Sequence, residues 1–280
     1  MGQYHVIANL DKRLGYSPSS AGDFLKLTEF GHGGGAMCAL VALLDGAWHG
    51  ERVAIVGDCA ESGDLPAEAR LLAGIDPAHL YAAINDRAWL RDTHGISSDW
   101  RNVGWLARKV VTDAGLGSFE REGWTVQDRD GTVRAGYRHL CELTRHPDSR
   151  QRVVVNFDRG EKIDPAAFGD DRSPGIFAIP GEVGGPLAAL AVLLAVSSTN
   201  GGRGGGDFRG SSPLVGSWGG QRIGLLDPAE TASYVDISAR MRDALTAAGE
   251  GVYRETADGT IQRGDPWAED PWAHLDRGVA

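Results

Sequence analysis

The feature that most constrains this chain is that it repeats itself. Residues 5–23, HVIANLDKRLGYSPSSAGD, align without a gap on residues 152–170, RVVVNFDRGEKIDPAAFGD, through V-x-x-N-[LF]-D-[KR], a proline and a closing Gly-Asp. Further landmarks follow in the same order. GGAMCALVALL at 34–44 matches GGPLAALAVLL at 184–194, and GAWHGERVAIV at 46–56 matches GSWGGQRIGLL at 216–226. A helix-like stretch at 99–114 corresponds to one at 235–248, and DGTVRAG at 130–136 to DGTIQRG at 258–264. A shared order across separate landmarks implies an internal duplication, with halves at 1–147 and 148–264 and a tail at 265–280. Two copies do not make a solenoid, which needs at least about three units to stack.

Each half reads as strand, helix, strand, helix, hairpin, so the expected fold is α+β, internally duplicated, with its halves in a pseudo-twofold arrangement. Tyr4–Asn9 and Arg152–Phe157 are short, β-branched and followed by turn formers, which predicts a buried strand opening each half and then a long irregular loop. Ala36–Leu44 and Pro186–Val196 are apolar on nearly every face, which predicts core helices, and Pro186 suits a first helical turn because its missing N–H costs nothing there. Arg52–Val56 and Arg222–Leu226 then read as central strands.

Asp76-Pro77 predicts an N-capped helix running to about Asn85. From Asp99, the residues Trp100, Val103, Ala107, Val110 and Val111 have helical spacing, as do Ile237, Met241, Leu245 and Ala248. Asp130-Gly131 and Asp258-Gly259 are type I′ hairpin signals. The halves differ in two places: an extra stretch at about 59–97 in the first, and the glycine-rich STNGGRGGGDFRGSSP at 198–213 in the second.

Composition narrows the classes of function. The 280 residues, 42% of them apolar, suffice for one large core or two ordinary ones. A net charge of −10 opposes nucleic-acid binding, which relies on clustered Lys and Arg. Cys38, Cys59 and Cys141 are odd in number and lack metal-type spacing, so neither a disulfide framework nor a zinc ribbon is expected and a reducing, cytoplasmic compartment fits. The N-terminus lacks a signal-peptide pattern, and the longest apolar run, Pro186–Val196, is far short of the roughly 20 residues of a membrane span.

Several segments carry groups suited to chemistry. In VGDCAESGDLP, Asp58, Glu61 and Asp64 offer carboxylates of the kind that hold Mg²⁺ or Ca²⁺, and Asp11 at the end of the first strand offers another. The competing structural expectation has Asp58 organising its turn and Asp64 capping a helix that opens at Pro66. Asn9, Asp11 and Lys12 recur as Asn156, Asp158 and Arg159, and repetition favours turn-fixing over catalysis.

Arg203, Gly204, Gly205, Gly206 and Asp207 combine free backbone N–H groups with positive charge, a weak anion-cradle signal without a phosphate-loop pattern. Trp48 with Arg52, and Trp218 with Arg222, are candidate cation–π pairs. Cys59 lies among acids, which disfavours a nucleophilic thiolate. The histidines show no zinc-type grouping, and no GxSxG supports a serine nucleophile. In the tail, Trp267 and Trp272 sit in DPWAEDPWAHLD, either a strap on the body or aromatic anchors for a partner.

MGQYHVIANLDK at the start, LKLTEFG at 25–31, VGDCAESGDLP at 56–66, GGGD at 204–207 and PLVGSWGGQRI at 213–223 together resemble an uncharacterised family of prokaryotic and phage-associated proteins. That family opens with MGQY-x-x-x-NLDK and carries a G-x-W-x-G-D-R-I strand with a VGDY-type loop. The resemblance covers about a third of the chain and implies an intracellular protein without naming a reaction. This chain departs from the pattern, with Gln221 and Glu51 where the family has aspartate before the arginine.

The expectation is a cofactor-free, non-catalytic protein that binds a protein partner or itself, with a phage or defence association. Its alternative is a hydrolase or small-ligand binder using Mg²⁺ or Ca²⁺ at Asp11, Asp58, Glu61 and Asp64.

Overall fold

The structure, a computed structural model, describes residues 3–23, 25–27, 35–113, 152–168, 186–198, 212–247, 253–255 and 261–263. Its strands are β1 (His5–Asn9), β2 (Leu14–Tyr16), β3 (Glu51–Gly57), β4 (Arg101–Asn102), β5 (Val153–Asn156), β6 (Glu161–Ile163), β7 (Gln221–Leu226), β8 (Val235–Asp236), β9 (Tyr253–Glu255) and β10 (Ile261–Arg263). The helices are α1 (Gly35–Asp45), α2 (Ala67–Ala73), α3 (Pro77–Asn85), α4 (Arg87–His94), α5 (Gly104–Asp113), α6 (Pro186–Leu194) and α7 (Ser238–Ala247).

β1 to β8 form one mixed sheet in the order β4-β2-β1-β3-β7-β5-β6-β8. The halves read from the sequence therefore share a single sheet. β1 is antiparallel to both β2 and β3, and β5 is antiparallel to both β6 and β7. β2 runs parallel to β4, as β6 does to β8. The sheet's centre is the antiparallel pair β3–β7, with Arg52 opposite Arg222 and Glu51–Ile223 and Val53–Gln221 on either side.

The tight turns into β3 and β7 explain the G-x-W-x-G pattern. Gly50 and Gly220 adopt φ of 73° and 77°, conformations costly for any residue with a Cβ. Each then donates its N–H across the centre, Gly50 to the Ile223 carbonyl at 2.9 Å and Gly220 to the Val53 carbonyl at 2.8 Å. The tryptophan between the glycines is fully buried in both places.

Strand alternation divides the core in two. Ile7, Val53, Ile55, Val154, Ile223 and Leu225 face a layer containing α1, α6 and residues of α5 and α7. Val6, Ala8, Ala54 and Val56 face the opposite way, onto Ala69 and Ala73 of α2, Leu80, Ala83 and Ile84 of α3, and Leu90 of α4. The extra stretch of the first half is thus a helical layer on the second face. Ala36 to Asp45 of α1 are all buried, as its unbroken apolar sequence requires.

Several local expectations need correction. No long loop directly follows β1 or β5; each turns back within a few residues into a short partner strand, β2 or β6. The helix expected from Asp99 starts at Gly104, because Arg101 and Asn102 extend the sheet beside β2. Likewise Val235 and Asp236 form β8 before α7 begins. The expected hairpin near Asp258-Gly259 has its strands in β9 and β10, whereas Asp130-Gly131 lies outside the described residues. Among the described residues no helix is long and apolar enough to cross a membrane.

Candidate functional site

The turn after β1 and the turn after β5 are built alike. Asn9 accepts the Lys12 N–H at 3.0 Å, and Asn156 accepts those of Asp158 and Arg159 at 3.0 Å each. Such side-chain bonds to following N–H groups fix a turn. The turn then aims the next acid at the centre of the sheet. Asp11 accepts the Arg52 N–H at 2.6 Å and its guanidinium at 3.2 Å. Asp158 accepts the Arg222 N–H at 2.8 Å and its Nε at 2.6 Å.

Arg52 and Arg222 face each other across β3–β7, and like charges directly opposite in a sheet repel. The two aspartates offset this, and Glu68 of α2 adds a contact to Arg52 at 2.5 Å. Burial pushes the Asp158 carboxyl up, but the Arg222 N–H and guanidinium outweigh it and hold that carboxyl below its usual range. The cluster joins the middle of the sheet to the helical layer. Its arginines are held by carboxylates. Trp48 and Trp218 belong to the core on the other face, Trp48 with its ring centroid 6.0 Å from that of Tyr16.

At the far end of β3, Asp58 continues the ladder with β1. Its N–H reaches the Tyr4 carbonyl at 2.8 Å, and its carboxylate accepts the Tyr4 N–H at 3.1 Å. The Gly57 N–H donates to the Ser197 hydroxyl at 2.8 Å, and the Cys59 N–H to Gln3 at 3.3 Å. The Cys59 thiol is exposed, 3.6 Å from an Asp58 oxygen. Tyr81 borders this end, its phenol pushed up by burial and then by the Asp58 charge.

Asp64 does not cap a helix: its carboxylate accepts the Glu61 N–H at 2.7 Å, closing the loop, and α2 begins after Pro66 without a side-chain cap. Asp76 does cap α3, accepting the Ala78 N–H at 2.9 Å.

These placements separate the proposed cation ligands. Because β1 and β3 are antiparallel, with His5 opposite Gly57 and Asn9 opposite Val53, Asp11 and Asp58 lie at opposite ends of the pair. Among the described residues no three His, Cys, Asp or Glu side chains come together where one ion would be held. Arg203, Gly204, Gly205, Gly206, Asp207, Trp267 and Trp272 lie outside the described residues.

One group escaped sequence reasoning. Asp23 accepts the Ala36 N–H at 2.6 Å at the start of α1, and Tyr16 donates its hydroxyl to the Ala36 carbonyl at 2.8 Å. Burial raises the Asp23 carboxyl to about 6, against the lowering effect of its N–H donors, and pushes the Tyr16 phenol up as well. The closing Gly-Asp of the repeated segment was the available signal. Comparisons with protein-family models, curated proteins and solved structures return no match to this chain.

Proposed function

We propose that the chain is an internally duplicated, non-catalytic scaffold whose two halves descend from one unit and whose role is to bind a protein partner or a second copy of itself. A common origin accounts for matching turns, clamps and strand pairings on both sides of the Arg52–Arg222 pair. The observation that carries the functional reading is how the conspicuous acids are used. Asp11, Asp58, Asp64 and Asp158 each accept backbone N–H groups, and two of them also hold an arginine. A carboxylate fixed in this way organises the fold, whereas a general base must reach a substrate proton.

The surface supports the same reading. Leu71 on α2 is 80% exposed and Trp89 on α4 48% exposed, both on the helical layer formed by the extra stretch of the first half. Aromatic and aliphatic side chains of this kind anchor protein interfaces. The tail residues Trp267 and Trp272 offer a second set of anchors, and a cytoplasmic setting suits an odd number of cysteines.

Sedimentation velocity on the full chain, on Leu71→Asp and on a chain ending at 264 tests the proposal. Weakened association in either variant, with an unchanged melting temperature, is the expected result. Association unaffected by both changes would overturn it.

A further inference from the structure

On the helical layer, His79 in the first turn of α3 and His94 at the end of α4 bring their imidazole rings together, with centroids 5.1 Å apart and planes at 46°. Trp89 meets His94 edge-on at 4.8 Å and 68°, which restrains that ring. A nitrogen–metal bond of about 2.0–2.1 Å places an imidazole centroid about 3 Å from the ion, so two imidazoles on one tetrahedral ion have centroids about 5 Å apart. The observed spacing matches that geometry.

The supporting helices are fixed on both sides of the pair. Asp76 caps α3, and Asp86 caps α4 by accepting the Trp89 N–H at 2.9 Å. Leu80 and Leu90 anchor the two helices in the core. The Asp76 carboxylate accepts the Ser62 hydroxyl and the Ala78 N–H, and its backbone carbonyl accepts the His79 N–H at 2.8 Å, so the turn that carries His79 is tied down at its start.

We propose that His79 and His94 form a surface site for a divalent transition metal of the zinc class, held by two imidazoles with water completing its shell. Imidazole suits zinc, copper and nickel, whereas Mg²⁺ and Ca²⁺ prefer oxygen ligands. The site shares no ligand with the Asp58 loop or the arginine pair, and it does not rest on the scaffold reading.

Calorimetric titration of the full chain with Zn²⁺ alone tests it. Wild type is expected to bind, while His79→Ala and His94→Ala each lose one equivalent. His94 is exposed, so its variant keeps the proposal testable if His79→Ala does not fold. Wild type that binds no Zn²⁺, or histidine variants that bind as wild type does, would overturn it.

Discussion

Trp48 and Trp218 occupy matching places before β3 and β7, both with no exposed surface, yet their indole nitrogens fare differently. Trp218 donates to Glu161 at 2.8 Å, and Glu161 is held as well by Arg159 at 2.7 Å. In the first half the residue in Glu161's place is Leu14, which cannot accept, and the Trp48 nitrogen has no acceptor among the described residues. A net hydrogen bond contributes about 1 kcal/mol, whereas truncating a buried tryptophan costs about 3–5 kcal/mol. The same tryptophan packing is thus kept on both sides of the β3–β7 pair, while the polar partners of the two indoles differ.

The largest expected effect breaks the frame itself. Trp48→Ala and Trp218→Ala should each destabilise the chain by about 3–5 kcal/mol in urea unfolding, with similar losses on both sides. A loss confined to one half would refute equivalence of packing.

Trp→Phe substitutions sharpen the contrast. Trp218→Phe removes a donor from Glu161 and should cost about 1–2 kcal/mol more than Trp48→Phe, which removes a donor that has no acceptor among the described residues. Equal losses would mean that the Glu161 bond adds nothing.

The smallest effect is a difference in pH response. Asp23, raised to about 6 from 3.8, penalises the folded state when ionised. Its penalty is absent below about 4 and grows as pH rises to about 6. Asp158 and Glu161 are lowered despite burial, by Arg222 and by Arg159 with Trp218 respectively, so their stabilisation is present above their ordinary pKa values and lost as pH falls below them. Asp23→Asn should therefore raise the melting temperature at pH 7 and flatten its rise between pH 6 and 4. Asp158→Asn should lower the melting temperature at pH 7 and reduce its fall in acid. Melting curves across this range check both signs.

Elements marked by long apolar runs or strong punctuation were legible in the sequence. β1, β3, β5, β7, α1 and α6 follow from β-branched or unbroken apolar stretches, and α3 from Asp76-Pro77. β2 and β6 span only three residues and β4 and β8 only two, too short for any periodicity to register. They exist because neighbouring strands supply their partners. The candidate cation ligands are not brought together among the described residues, for a related reason. Asp11 and Asp58 each follow a strand, but antiparallel pairing sends those strand ends in opposite directions. The turn role of Asn9 and Asn156 was legible from their repetition; the partnership of Asp11 with Arg52, far along the chain, required the sheet.

The proposed binding scaffold uses its conspicuous acids for architecture. Native mass spectrometry of the full chain isolated from cells tests that claim most directly. The account predicts a species heavier than the 29.7 kDa single chain, as a self-assembly or a complex with another protein, without Mg²⁺ or Ca²⁺. A single chain carrying a stoichiometric Mg²⁺, Ca²⁺ or discrete small molecule, released by Asp58→Asn or Asp11→Asn, would contradict it.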